Sequence, residues 1–226
     1  MAVKKDFKTP VGELRWMYVS GRGKEGRGKN KGTFRFVGSL YLQTASTECN
    51  ALKDKIKAFW NENKPRKGRH GSLGFKDEMV VDDDYVPILD KDGKEQYTGE
   101  TSFDFWTGTT WKDGKPKVVD IYSAGNKKEG IISTKISLHG KTIGNGSIGA
   151  IAGSMGIFDQ DSNMGISLYL NAVQLHKLVE YCKDPGFEDS DEGGYEEEEE
   201  EEIVESGTCF GPEEESVAKE EAKPRI

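Results

Sequence analysis

Seven consecutive glutamates at residues 196–202 limit how much of this chain can fold. Like charges at that density repel, and too few apolar side chains surround them to offset the lost chain entropy. Residues 187–226 hold 17 acids against 3 bases, a net charge of −14. A fold is therefore expected in residues 1–186 only, with residues 187–226 a disordered acidic tail, the kind of block that serves as a solvated interaction segment. This division reverses the apparent character of the protein. The whole chain of 226 residues carries −8, yet residues 1–186 carry +6 and residues 1–76 alone carry +12. A basic body attracts polyanions, and an acidic tail on the same chain competes for the same surface.

Within the body, the hydrophobic pattern favours short strands. Residues 11–20 alternate, Leu14, Trp16 and Tyr18 against Arg15, Met17 and Val19, the period-2 signature. On a regular strand Trp16 and Tyr18 cannot share a face with Arg15. Residues 33–44 form a second strand, with Phe34, Phe36, Leu40 and Leu42 on one face beside Gly38, and Arg35, Val37, Ser39 and Tyr41 on the other. The intervening residues 21–32 contain five glycines and five bases and read as a flexible basic loop. Residues 46–63 are the helix candidate: Ser46 or Thr47 can cap it, and Leu52, Ile56, Phe59 and Trp60 fall on one core-facing stripe. Residues 64–71 end that helix in a second basic loop.

From Phe75 onward, short strands and turns return. Asp92-Gly93 and Asp113-Gly114 are hairpin-type dipeptides. Residues 101–111 are aromatic, residues 117–123 and 131–138 alternate, and residues 143–158 are apolar but glycine-rich. Residues 164–181 read as a strand leading into a further apolar element, strand or short helix. Many short strands around one main helix predict a mainly β fold, an OB-fold-like five-stranded barrel with extra strands and hairpins; another β-rich fold fits the same pattern.

Several chemistries lack their residues. No stretch approaches the apolar length of a membrane span, and the first residues lack the apolar run of a secretory signal. Cys49, Cys182 and Cys209 are odd in number and widely spaced, as expected of reduced cytosolic thiols, and no Cys/His grouping has zinc-ligand spacing. Gly144-Asn-Gly146-Ser-Ile-Gly149 matches a dinucleotide fingerprint literally, but further glycines at 153 and 156 disfavour the helix that site requires. A bent strand with close backbone approach is the better reading. Asp82, Asp83, Asp84, Asp90 and Asp92 lack a complete metal loop and an accompanying base, so a solvated loop and a hairpin turn are expected there. No nucleophile motif occurs. The chain is accordingly expected to be no enzyme and to need no cofactor and no metal.

What the sequence offers instead is cations interleaved with rings. Single-strand binding needs both: cations neutralise phosphates, and flat rings stack on unpaired bases at about 1–3 kcal/mol per base. The candidates around the first loop are Arg15, Trp16, Tyr18, Arg22, Lys24, Arg27, Lys29, Lys31, Arg35 and Tyr41. The second loop adds Arg66, Lys67 and Arg69. A third group is Phe103, Phe105, Trp106 and Trp111, in which the two phenylalanines share a face and Trp106 takes the other. For each ring, burial in the core is the competing expectation.

Two segments carry a resemblance: KTIGNGSIGAIAGSMGIFD at residues 141–159 and GISLYLNAVQLHKL at residues 165–178. Together they resemble the C-terminal part of a family of phage single-stranded-DNA-binding proteins with an OB-fold core, and the acidic tail matches as well. The resemblance implies coating of single-stranded DNA, with little sequence preference, during phage DNA replication, recombination and repair in the cytoplasm of the infected host. It implies a tail that shields the groove and recruits phage or host replication proteins, self-association among the partners, and no membrane. One departure stands out. The tail ends Lys223-Pro-Arg-Ile226, with Phe210 the one aromatic after the acidic run, where several replication single-strand binders end in an aromatic residue that docks on partners. The alternatives are an interaction module or DNA mimic acting through the tail, and a nuclease using the Asp82–Asp92 acids.

Overall fold

A computed structural model describes residues 4–26, 31–64, 71–111, 113–126, 130–160 and 163–180. Its elements in chain order are strands β1 (Lys4–Lys8), β2 (Gly12–Tyr18), β3 (Lys24–Glu25) and β4 (Phe34–Gln43), helix α1 (Thr47–Asn63), then strands β5 (Phe75–Met79), β6 (Tyr97–Gly108), β7 (Asp120–Ser123), β8 (Ser147–Gln160) and β9 (Asn163–Lys177). The chain divides into units Met1–Tyr181 and Cys182–Ile226. The expected boundary at 186/187 and the whole acidic tail lie outside the described residues.

Five strands close on themselves in the order β8-β2-β4-β6-β9 and back to β8. Only the β6–β9 contact within this ring is parallel, pairing Phe105 with Leu168 and Trp106 with Tyr169; the others are antiparallel. This is the OB barrel predicted from the sequence. β1 extends the sheet beyond β8 and β7 extends it beyond β9, while β3 and β5 attach to β4 and β6. The interior is filled by Leu14, Leu40, Phe103, Phe105, Ile151, Met155, Leu168, Leu170 and Val173, all essentially inaccessible.

Helix α1 begins where its sequence says. Ser46, extended at φ −70° and ψ 149°, accepts a hydrogen bond at its hydroxyl oxygen from the Cys49 amide at 3.1 Å, satisfying one of the orphan donors of the first turn. It ends at Lys64, whose extended backbone is what the following proline imposes. Cys49, Leu52, Ile56, Phe59 and Trp60 are buried and hold the helix against β4, β8 and β9.

The glycine-rich segment is a bent strand, as expected. A Cβ on Gly153 would lie 2.5 Å from the Tyr169 carbonyl oxygen, so the close approach of β8 to β9 requires glycine there. The segment from Met164 onward resolves to the single strand β9, which ends at Lys177. Residues 131–138 depart from expectation: they follow β7 through isolated bridges only. Side-chain to backbone bonds such as Ser133 Oγ to the Ser123 carbonyl replace part of the ladder.

Candidate nucleic-acid interface

In OB barrels the second and third barrel strands present the face that meets oligonucleotides; here these are β4 and β6. Their register places Val37 opposite Trp106. On the flanks, Tyr18 pairs with Val37 and Tyr169 with Trp106. Tyr18, Val37, Trp106 and Tyr169 therefore form one row across four adjacent strands, spanning roughly 14 Å at the usual strand spacing. The Trp106 and Tyr169 rings sit 5.2 Å apart at 56°.

Tyr18 reaches this row because β2 is irregular. Its register with β4 shifts between Arg15 and Tyr18, and Trp16 sits at φ 57° with its amide bonded to Asn145 Oδ1 at 2.8 Å. The extra residue of a bulge resets the alternation. Leu14, Met17 and Val19 point inward, while Trp16 and Tyr18 are exposed and Arg15 stays outside with them. The expectation that Arg15 lies on the face opposite Trp16 and Tyr18 is thus corrected. Gly38 on β4 makes the inward turn of Met17 feasible, because any Cβ there would collide with the Met17 sulfur.

Cations cover the rings of this face. The Arg35 guanidinium lies 4.6 Å from the Trp106 centroid, Lys4 Nζ 4.8 Å from Tyr169, and Lys24 Nζ 5.2 Å from Tyr18. Arg22 rests on Phe34 and Lys117 on Trp111. Burial holds the Lys117 ammonium below its ordinary pKa, and repulsion from Lys4 adds to the effect. The Lys117 ammonium also donates to the Thr107 hydroxyl. Trp16, Lys24, Arg35, Val37, Ser39 and Trp106 line a cleft of about 560 Å³ along the face, together with the acids Glu25 and Asp104.

The other half of the face is acidic. Arg15 donates to both Glu13 carboxylate oxygens at 2.6 and 2.9 Å and to both Glu100 oxygens at 3.0 and 3.1 Å, and it lies over Tyr41. The Arg15 bond holds the Glu13 carboxyl below its usual pKa, against the effect of burial. Tyr41 is pushed up by burial and then by the Glu78 charge. Ser39 donates to Asp104 at 2.6 Å. Arg15 is therefore a neutralised strut rather than a free cation, which corrects its place among the phosphate-seeking residues.

The predicted candidates divide clearly. Trp16, Tyr18, Arg22, Lys24, Arg35 and Trp106 gather at the basic half, Lys31 is exposed on the loop, and Trp111 is exposed at the strand end. Phe103 and Phe105 are buried in the barrel, so these two are core and not stacking surface; the bulky interior of a closed five-stranded barrel needs them. Arg27, Lys29, Arg66, Lys67 and Arg69 lie outside the described residues. Sequence reasoning missed Lys4, Lys117 and Tyr169. Tyr169 was open to detection, since alternation sets it opposite the buried Leu168 and Leu170. Lys4 reaches the Tyr169 ring only through strand order, β1 lying beside β8 and β8 beside β9. Asp82 and Asp90 each accept two backbone amides within their own turns, and no metal-holding group of acids, cysteines or histidines occurs among the described residues. No described helix is long and apolar enough to cross a membrane.

No protein-family model matches the sequence, and no curated protein matches it significantly. The fold does have a solved counterpart. It is similar to the crystal structure of gp2.5, a single-stranded DNA binding protein encoded by bacteriophage T7, with a TM-score of 0.54 over 82 % of this chain and 98 % of that one. Sequence identity is 17 %, so the likeness is one of fold.

Proposed function

We propose that this chain binds single-stranded DNA across β4 and β6. The observation that carries the reading is the row of Tyr18, Trp106 and Tyr169, each ring flanked by its own cation. Unpaired bases stack on such rings while the cations take the phosphates, and duplex bases, already stacked, gain nothing from them. The T7 protein's binding of single-stranded DNA on a similar fold agrees. In this reading the protein coats strands exposed during phage DNA replication, recombination and repair in the host cytoplasm. Its acidic tail shields the basic groove and recruits replication partners, and the chain performs no catalysis.

The test is fluorescence anisotropy of a labelled dT oligonucleotide with the wild type, Trp106→Ala and Tyr169→Ala. Each ring removed is expected to weaken binding by about 1–3 kcal/mol, the worth of one stacked base, with the far-ultraviolet spectrum unchanged. Unaltered affinity in both variants would move the binding site off this face.

A further inference from the structure

Two carboxylates stand in the cleft among the cations and rings of this face, those of Glu25 and Asp104. A fixed negative charge repels phosphate, so neither helps to hold the backbone of a strand. Glu25 is engaged, accepting the Gly32 amide at 2.8 Å. Asp104 is different. It sits within β6, opposite Ser39 of β4, and the Ser39 hydroxyl donates to its Oδ1 at 2.6 Å. Ser39 is only 9 % exposed, whereas Asp104 is exposed. Arg15 lies opposite Ser39 on β2, but its guanidinium bonds Glu13 and Glu100 instead. Among the described residues no cation pairs with Asp104, and its Oδ2 accepts no bond. The structure thus holds an uncompensated carboxylate in place on a rigid strand, open to the cleft.

Asp104 and Trp106 share the outer face of β6, two residues and about 7 Å apart. Arg35 enters from the far side. Its register partner is Gly108, four residues beyond Asp104 and about 13 Å along the strand. Cation, ring and acid therefore follow one another down the face. A nucleotide laid along this line has its phosphate at Arg35, its base against Trp106 and the outer edge of that base at Asp104. In a single strand that Watson–Crick edge is free to be read. An ionised carboxylate only accepts hydrogen bonds, so it distinguishes edges by their donors. Cytosine offers its N4 amino group, a fitting partner for an acidic side chain. Thymine offers the O4 carbonyl in the same place, an acceptor facing an acceptor.

We propose that Asp104 reads the base held on Trp106 and favours one that carries an exocyclic amino group, cytosine over thymine among the pyrimidines. Ser39 is the positioning residue that keeps the carboxylate at the edge of the base. The strand is then bound with a bias at one nucleotide rather than uniformly along its length. The proposal rests on the single-strand reading, since it specifies which base that same site takes.

The test is competition for the full chain between dC and dT oligonucleotides of equal length, above neutral pH, where cytosine is unprotonated. The wild type should prefer dC by about tenfold, within the range of one good base contact. A strand of N4,N4-dimethylcytosine keeps the ring but has no amino donor, and it should fall back to the level of dT. Asp104→Asn should abolish the preference, because its amide nitrogen can donate to the O4 of thymine. If Asp104 served only to repel phosphates, the same substitution would tighten both strands equally and leave the preference intact. Equal wild-type affinity for dC and dT, a dimethylated strand bound as tightly as dC, or a preference that survives Asp104→Asn overturns the proposal. Failure of the wild type to bind either strand overturns the single-strand reading instead, and base selection falls with it.

Discussion

Trp16 shows how a single residue conformation builds the interface. A tryptophan at φ 57° occupies the left-handed region that side chains with a Cβ rarely adopt, at a cost of order 1–3 kcal/mol. Asn145 offsets part of this by accepting the Trp16 amide. Asn145→Ala is expected to lower stability by about 1 kcal/mol and to shift the emission of Trp16, read by denaturant titration and fluorescence. An unchanged spectrum would mean that the bulge holds without Asn145. A second residue prediction concerns acid. Asp77 accepts from Lys53 Nζ at 2.7 Å and from Thr101 at 2.6 Å, and the Lys53 bond, then the Thr101 bond, hold its carboxyl below the ordinary range. A lowered folded-state pKa means the contribution is full above the ordinary carboxyl value and is lost as pH falls through the lowered one. Asp77→Asn should therefore flatten the acid limb of the stability profile. The effect is modest because the Asp77 side chain is 46 % exposed.

At the scale of elements, β4 and the bulged β2 depend on each other. Gly38→Leu should push Met17 out of the core, destabilise the barrel by about 1–3 kcal/mol as overpacking does, and displace Tyr18 and Trp16 with it. Thermal unfolding reads the first effect and oligonucleotide affinity the second; a stable variant with full affinity would show that the bulge does not need the gap at Gly38. The same pair of strands shows what sequence can reveal. Helix α1 was legible because capping at Ser46 and the Leu52, Ile56, Phe59 and Trp60 stripe are local signals. The inward set of β4 was legible because it alternates without interruption. The bulge in β2 was not, since nothing in residues 14–19 marks the skipped position; it follows from Gly38 and Asn145, distant in the chain. Arg15 looked like a free cation for a related reason, because Glu100 reaches it only across β4.

At the scale of the molecule, Lys4, Lys24, Arg35 and Lys117 flank the rings of the β4–β6 face, Glu13 and Glu100 hold Arg15 at its other end, and Glu25 and Asp104 lie in the cleft between the cations. The site was legible as a composition, cations among rings, but its location required the strand order that joins Tyr169 to Trp106. If the 14 net negative charges of residues 187–226 compete for this surface, removing them should tighten binding to single strands at low salt. Equal affinity with and without the tail would assign those residues to partner recognition alone.

The most direct measurement is anisotropy of the full chain with a labelled dT oligonucleotide and with its duplex counterpart across a salt series. Neutralising about four phosphates gives a slope of about −3 in log affinity against log salt for single strands. Salt-sensitive binding to the single strand with that slope, and weak binding to the duplex, is the result expected of a cation-flanked row of rings. No binding, or equal binding to both forms, would contradict it.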